Sequence, residues 1–324
     1  MRVLAFSTGG AHITTMLGML EELETQGRLK DVDSFAGISA GAILAAFCAT
    51  RPVQKAVQEL KSLLLEHCKD AIKPHYAFLN VPLSALFQKS ILDDTGLAKL
   101  LQEKLESAKL HSDLYVGLTN ETKMSYELHH FEKSSNKSSG ALTISQAVHA
   151  SASIPVIFKG EDGPNNCHYS DGGVYHQIPA FAIERIMEQA VKKEKKEFYV
   201  TVISSSTWNY RPALKDTKYP FLAQKTLHYL DCANYNNLPS DRELIKEAIA
   251  LYQHKLNITF EMFAVPTVLL RKLHNTFTMT KLASMKENDV NKLFQLGRHI
   301  VEANCATYDI SQDEPSPFMS HLKY

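Results

Sequence analysis

The stretch that decides the fold is Phe35-Ala36-Gly37-Ile38-Ser39-Ala40-Gly41-Ala42-Ile43-Leu44-Ala45-Ala46-Phe47. Residues 35–38 are short and apolar and predict a buried strand. Residues 39–47 are small and apolar and predict a buried helix. Between them lies Gly-x-Ser-x-Gly. A serine at a sharp strand-to-helix turn is pushed out of the sheet, so its hydroxyl is presented to a reactant. Gly37 and Gly41 remove the side chains that would clash where strand and helix approach. The following helix points unpaired N–H groups and the positive end of its dipole at the serine. The five-residue pattern alone arises by chance in about one chain in ten of this length. Its weight comes from the strand before it and the helix after it.

Working outward, residues 2–7 predict a first strand that runs into Thr8-Gly9-Gly10-Ala11. Ile13, Met16, Leu17, Leu20 and Leu23 then recur at helical spacing. Bare N–H groups in such a glycine turn suit an anion or a developing oxyanion. A dinucleotide site would need G-x-G-x-x-G, and its third glycine is missing, with Ile at position 13. A third glycine motif is Ser170-Asp171-Gly172-Gly173. Asp-Gly by itself reads as a hairpin turn. Here, however, Gly9, Gly10, Gly37, Gly41, Gly172 and Gly173 put six of the fourteen glycines into three short motifs.

The rest of the chain alternates. Helical patterns fall at 53–68, 96–105, 144–153 and 179–193. Strand patterns fall at 114–119 and 124–131, around a polar turn, and at 198–204. Residues 132–140 read as a polar loop. From about 205 onward the pattern is mostly helical, including 242–256 and 290–303. Alternating strands and helices imply an α/β fold: a mainly parallel sheet with helices on both faces. There is no internal repeat or low-complexity linker, so 1–324 is expected to form a single domain.

The chain has 324 residues, with 35 Lys plus Arg against 35 Asp plus Glu. Zero net charge argues against general nucleic-acid binding. No run approaches the length of a membrane span. The first apolar residues are too few for a signal peptide. Five scattered cysteines suit neither a zinc site nor a redox pair, so reduced thiols and a cytoplasmic setting are expected. The Lys192–Glu197 charge cluster reads as a solvated helix end.

These blocks resemble the patatin-like phospholipase family. Leu4-Ala5-Phe6-Ser7-Thr8-Gly9-Gly10 looks like its first strand and Gly-rich oxyanion loop, and Gly37-Ile38-Ser39-Ala40-Gly41 like its nucleophile elbow. Ala147-Val148-His149-Ala150-Ser151-Ala152-Ser153-Ile154-Pro155-Val156-Ile157-Phe158 is similar to its ASxSIPxxF segment. Asp171-Gly172-Gly173 matches its Asp-Gly-Gly, and the tail from Phe277 to Gly297 resembles its final helix. The resemblance implies a three-layer α/β/α fold and a Ser–Asp dyad. Ser39 is then the nucleophile and Asp171 the base, with Gly9, Gly10 and Ala40 supplying the oxyanion N–H groups. Gly37, Gly41, Gly172 and Gly173 support the motifs. It implies no cofactor, no metal and independence of calcium, with an acyl-lipid substrate met at a membrane surface. The oligomeric state stays open.

The loop departs from the family's Gly-Gly-Gly-x-(Arg or Lys)-Gly. Thr8, Ala11, His12 and Ile13 stand where two glycines, a variable residue and a basic residue are expected to flank Gly9 and Gly10; His12 is a partial substitute for the basic residue. His176 follows Asp171 and would fit the Ser…Asp…His order of a triad. With fourteen histidines in the chain, a structural role is expected for it, as for His149 and His168. Residues 78–87 and 260–270 are apolar candidates for membrane contact, with core burial as the competing reading. Three functions follow: a phospholipid or glycerolipid acyl hydrolase; a lysophospholipid or neutral-lipid hydrolase or acyltransferase; or a non-catalytic storage or lipid-binding relative.

Overall fold

The computed structural model describes residues 1–71, 73–74, 92–133, 142–155, 157–208, 222–266 and 287–303. In chain order its elements begin with β1 (Arg2–Phe6), α1 (Ile13–Thr25), β2 (Ser34–Ile38), α2 (Ala40–Thr50) and α3 (Val53–Ala71). There follow β3 (Lys73–Pro74), β4 (Leu92–Asp93), α4 (Thr95–Leu105), β5 (Asp113–Asn120), β6 (Ser125–Phe131) and α5 (Ile144–Ser151). The chain continues with β7 (Glu161–Asp162), β8 (His168–Asp171), α6 (Ala180–Lys192) and β9 (Glu197–Ser204). Last come α7 (Leu222–Tyr252), β10 (Asn257–Ala264) and α8 (Glu287–Glu302).

The main sheet runs β10-β9-β1-β2-β5-β8-β7, and β6 also pairs with β5. Strands β10, β9, β1, β2 and β5 are mutually parallel. Strands β6, β7 and β8 add an antiparallel end. Val3, Leu4, Ala5 and Phe6 form an unbroken apolar run because β1 is covered on both faces. The chain first moves from β1 through β2 to β5, then returns across β1 to β9 and β10. Helices α1 and α2 pack against each other, as do α6 and α7. The α/β fold expected from the alternation is therefore present.

Two details correct the sequence reading. The mostly helical region after 205 contains a strand, β10, which pairs along its whole length with β9. Phe260 lies in it, and Met262, Phe263, Ala264 and Val265 are buried. That part of the membrane-contact candidate 260–270 thus belongs to the core. Pairing along the β9 edge and burial of its last residues on both faces outweighed the helical prior of the flanking residues. Residues 78–87 and 267–270 lie outside the described residues. Second, Asp171-Gly172 ends β8 and opens a 3-10 turn at Gly172–Val174, where a hairpin turn was one reading.

The C-terminal part is locked to the N-terminal part by α8 on α1. A Cβ on Gly297 would lie 2.0 Å from the Thr15 carbonyl oxygen, and one on Gly18 would lie 2.0 Å from that of Phe294. Only two glycines facing each other let these helices cross backbone to backbone.

Candidate active site

The site forms at the carboxyl ends of the parallel strands, where open α/β sheets present their crevices. Strand β2 ends at Ile38 and α2 begins at Ala40, leaving Ser39 as the turn. Its φ of 59° and ψ of −131° are an uncommon conformation for a non-glycine residue. Such backbones cost about 1–3 kcal/mol and persist only where surroundings impose them. Here the constraint is crowding: a Cβ on Gly41 would lie 2.4 Å from the Ser7 carbonyl oxygen, and one on Gly37 would lie 2.2 Å from that of Gly41. The first loop, the elbow strand and the elbow helix therefore touch through bare backbone.

Strand β5 explains why Asp171 meets Ser39. It is eight residues long, and its Asp113–Gly117 half pairs with β2, ending at Ile38 opposite Gly117. Its next residue, Leu118, pairs with Asp171 of β8. Where β2 leaves the sheet at the serine, β8 enters at the aspartate. The Ser39 hydroxyl donates to Asp171 Oδ2 at 2.6 Å. Asp171 Oδ1 accepts from the Gly173 N–H at 2.7 Å. Both residues are buried, with relative exposures of 5% and 4%. Burial pushes the Asp171 carboxyl up to about 7, against the pull of the Ser39 and Gly173 hydrogen bonds.

The segment after α5 supports both residues. The Ser39 N–H donates to Ser151 Oγ at 2.9 Å, and that hydroxyl donates to the Gly117 carbonyl at 2.7 Å. The Asp171 N–H donates to the Ser153 carbonyl at 2.9 Å. The Asp171 carbonyl accepts from the Thr119 hydroxyl at 2.8 Å.

The first loop is pinned from several sides. The Thr8 N–H donates to the Gln177 carbonyl at 2.8 Å, and its hydroxyl donates to Gln177 Oε1. The Thr8 carbonyl accepts from Ser7 Oγ at 2.7 Å and Ser205 Oγ at 2.6 Å. Gly9 and Gly10 then lead into the short 3-10 turn that contains His12, with the His12 N–H on the Gly9 carbonyl at 2.8 Å. Ala40 is the first residue of α2, where N–H groups have no intrahelical acceptor.

The histidines lie in other arrangements. His176 Nδ1 is 2.6 Å from Asp241 Oδ1 of α7. Asp241 Oδ2 accepts from the Gln177 and Ile178 N–H groups. His168 Nδ1 is 2.8 Å from Asp162 Oδ1, and His149 lies between Asp94 and Glu161. No group of three or more His, Cys, Asp or Glu side chains suited to a metal occurs among the described residues. No helix among them is long and apolar enough to cross a membrane.

Motif reading singled out Ser39 and Asp171, whose side chains the structure brings together, and the glycines around them. It assigned no role to Ser151 and Ser153, which lay inside a quoted motif, or to Gln177, Ser205 and Asp241. The last three carry no local pattern, because the bonds that tie them to the first loop or to the segment after Asp171 span 63 to 198 positions, Gln177 adding one short bond to Gly173.

A strained serine on a strand-to-helix elbow of a mainly parallel sheet, hydrogen-bonded to a buried acid, defines a class of hydrolase-like α/β proteins. Within that class, the patatin-like phospholipase family model matches residues 4–183. The chain belongs to this family. Among solved structures it is similar to VipD from Legionella pneumophila, at 15% identity over 91% of this chain and 66% of that one, with a TM-score of 0.40. It is also similar to the type III effector protein ExoU, at 12% identity over 76% of this chain and 53% of that one, with a TM-score of 0.25. The chain thus spans less than two thirds of either protein. No curated protein matches it.

Proposed function

We propose that the protein is a serine acyl hydrolase of phospholipase A type, releasing fatty acid from phospholipid or glycerolipid esters through a Ser39–Asp171 dyad. The observation that carries this reading is the 2.6 Å hydrogen bond from the Ser39 hydroxyl to a buried carboxylate.

An ordinary aspartate near pKa 4 is a poor base for an alcohol. Raising Asp171 to about 7 makes the proton transfer less uphill by about 4 kcal/mol. Asp171 takes the Ser39 proton as Oγ attacks the ester carbonyl. The oxyanion forms against the N–H groups of Gly9, Gly10 and Ala40, each worth roughly 3 kcal/mol. The tetrahedral adduct expels the alcohol portion, which takes the proton from Asp171, and the acyl group stays on Ser39. Asp171 then deprotonates a water that attacks the acyl-enzyme. A second tetrahedral adduct collapses, Ser39 is reprotonated, and fatty acid leaves. No histidine, metal or cofactor enters these steps.

We read the 1–324 chain as one domain, supported by the pairing of β9 with β1 and of β10 with β9, and by the α1–α8 crossing. Action at a membrane surface from the cytoplasm is part of the same proposal; the thiols of Cys48 and Cys167, free among the described residues, suit its cytoplasmic part. The dyad would equally serve a lysophospholipid, a neutral lipid or acyl transfer to an acceptor alcohol.

The test is fatty-acid release from mixed phospholipid vesicles, with fluorophosphonate labelling alongside, in wild type, Ser39→Ala and Asp171→Asn. Release in wild type that is lost in both variants, with labelling lost in Ser39→Ala, supports the proposal. Labelling without release redirects it to another acyl-lipid. Neither in folded protein sinks it in favour of lipid binding.

A further inference from the structure

The five residues His149-Ala150-Ser151-Ala152-Ser153 hold both members of the proposed dyad by their backbones. Ser151 Oγ accepts the Ser39 N–H, and the Ser153 carbonyl accepts the Asp171 N–H. The segment is anchored at its start by His149. The His149 ring is buried, with Nδ1 at 2.6 Å from Glu161 Oε1 of β7 and Nε2 at 3.1 Å from Asp94 Oδ2. Asp94 is the N-cap residue of α4. The clamp therefore joins three elements: α4, α5 and β7. It continues into the segment, because the Ser153 hydroxyl donates to the His149 carbonyl at 2.7 Å and lies 3.4 Å from Asp94 Oδ2.

Two carboxylates facing one buried ring favour its charged form. The imidazolium hydrogen-bonds Glu161 through Nδ1 and lies at ion-pair distance from Asp94 through Nε2, whereas a neutral ring leaves two like charges beside it with one proton fewer to share. The last turn of a helix also favours a cation, and His149 sits in the last turn of α5.

We infer that His149 is a positioning residue for the proposed reaction: its imidazolium, clamped between Asp94 and Glu161, holds the 149–153 segment against Ser39 and Asp171, and loss of its proton sets an alkaline limit to activity. The inference rests on the dyad reading above.

Its electrostatics agree with the geometry. Burial works against the cation, but Asp94 and Glu161 outweigh it and hold the imidazolium up to about 9. A histidine raised in the folded state stabilises below its unfolded value near 6.5, and that stability is lost as pH rises through about 9. The other ionisable groups on the surrounding elements have their own arrangements. Glu106, after α4, accepts from Ser145 at the far end of α5. Asp162 of β7 pairs with His168 of β8. Asp171 is bound to Ser39. Cys48 of α2 and Tyr115 of β5 are held neutral by burial, and Tyr169 of β8 is pushed up to about 12.

The experiment measures the rate of fluorophosphonate labelling of Ser39 from about pH 5 to about pH 10, in wild type, Glu161→Gln, Asp94→Asn and His149→Arg. Wild type is expected to rise through about 7, as Asp171 ionises, and to fall through about 9. Removing either carboxylate should move the alkaline fall down by about one pH unit or more while leaving the acid limb in place. His149→Arg, with a cation that is not lost in this range, should abolish the fall. The His149 ring-proton shift, followed by NMR, should titrate with the same midpoint as the fall in wild type and Glu161→Gln. A merely structural histidine would lower the melting temperature of its variants without moving the limb. Labelling with no alkaline fall, or a fall unmoved in Glu161→Gln and Asp94→Asn, overturns this inference and leaves the dyad standing. No labelling at any pH in wild type sinks the dyad, and this inference with it.

Discussion

Thr8 and Gln177 are joined twice, through the Thr8 N–H on the Gln177 carbonyl at 2.8 Å and through the Thr8 hydroxyl on Gln177 Oε1. Gln177 Nε2 also donates to the Gly173 carbonyl at 2.9 Å, beside Asp171. The departure from glycine at position 8 is thus matched by a partner that uses the new hydroxyl. Gln177 links the first loop to the turn that holds the acid.

Gln177→Ala is accordingly expected to lower kcat by about 10–100-fold with KM little changed, since loosened oxyanion donors act on the transition state more than on the bound lipid. Steady-state hydrolysis of one lipid by wild type and variant checks this. An equal loss carried wholly in KM would contradict it.

Asp171→Asn is expected to make the protein more stable, increasingly so with pH. Asp171 is raised to about 7 from an ordinary value near 4, so the folded state keeps a proton that the unfolded chain gives up. Wild-type stability from this group therefore falls as pH rises from about 4 to about 7 and is level above that. The variant lacks the loss, and its advantage at pH 8 should be on the order of 2–4 kcal/mol. Urea denaturation at pH 5 and pH 8 measures it; an advantage independent of pH would refute the assignment.

His176→Ala should keep fatty-acid release within a few-fold of wild type, while Ser39→Ala abolishes it. The His176 ring bonds to Asp241, and the Ser39 hydroxyl to Asp171. The cost falls on stability, about 1–3 kcal/mol for leaving a buried carboxylate short of one partner. A loss of turnover as deep as that of Ser39→Ala would replace the dyad by a triad.

Gly297→Leu should destabilise the whole chain in one transition, because its side chain would enter the Thr15 carbonyl on α1. Overpacking of this kind costs about 1–3 kcal/mol or more. A calorimetric scan that shows α8 melting separately, with the rest unchanged, would argue against a single domain.

Local patterns carried much of the fold into the sequence. Short-range order dictates a buried strand such as β1, an apolar helix such as α2, and a glycine elbow between strand and helix, so each was readable as it stood. Strand β10 was overlooked inside a region read as mostly helical, although Asn257-Ile258-Thr259-Phe260-Glu261-Met262 alternates polar and apolar as a strand does; β9 supplies the edge it pairs with. Pro239 likewise interrupts the pattern before 242, yet lies within α7.

The sequence by itself determined which residues could do chemistry: a serine flanked by close-approach glycines, an Asp-Gly-Gly, and a glycine loop after the first strand. Each follows from steric rules that act within a few residues. Only the tertiary structure decided that they meet. Strand β5 pairs first with β2 and then with β8, so Ser39 and Asp171, 132 positions apart, face each other at 2.6 Å. The same packing removed water from Asp171 and so raised its proton affinity. Burial and long-range pairing are properties of the assembled chain, and no local stretch contains them.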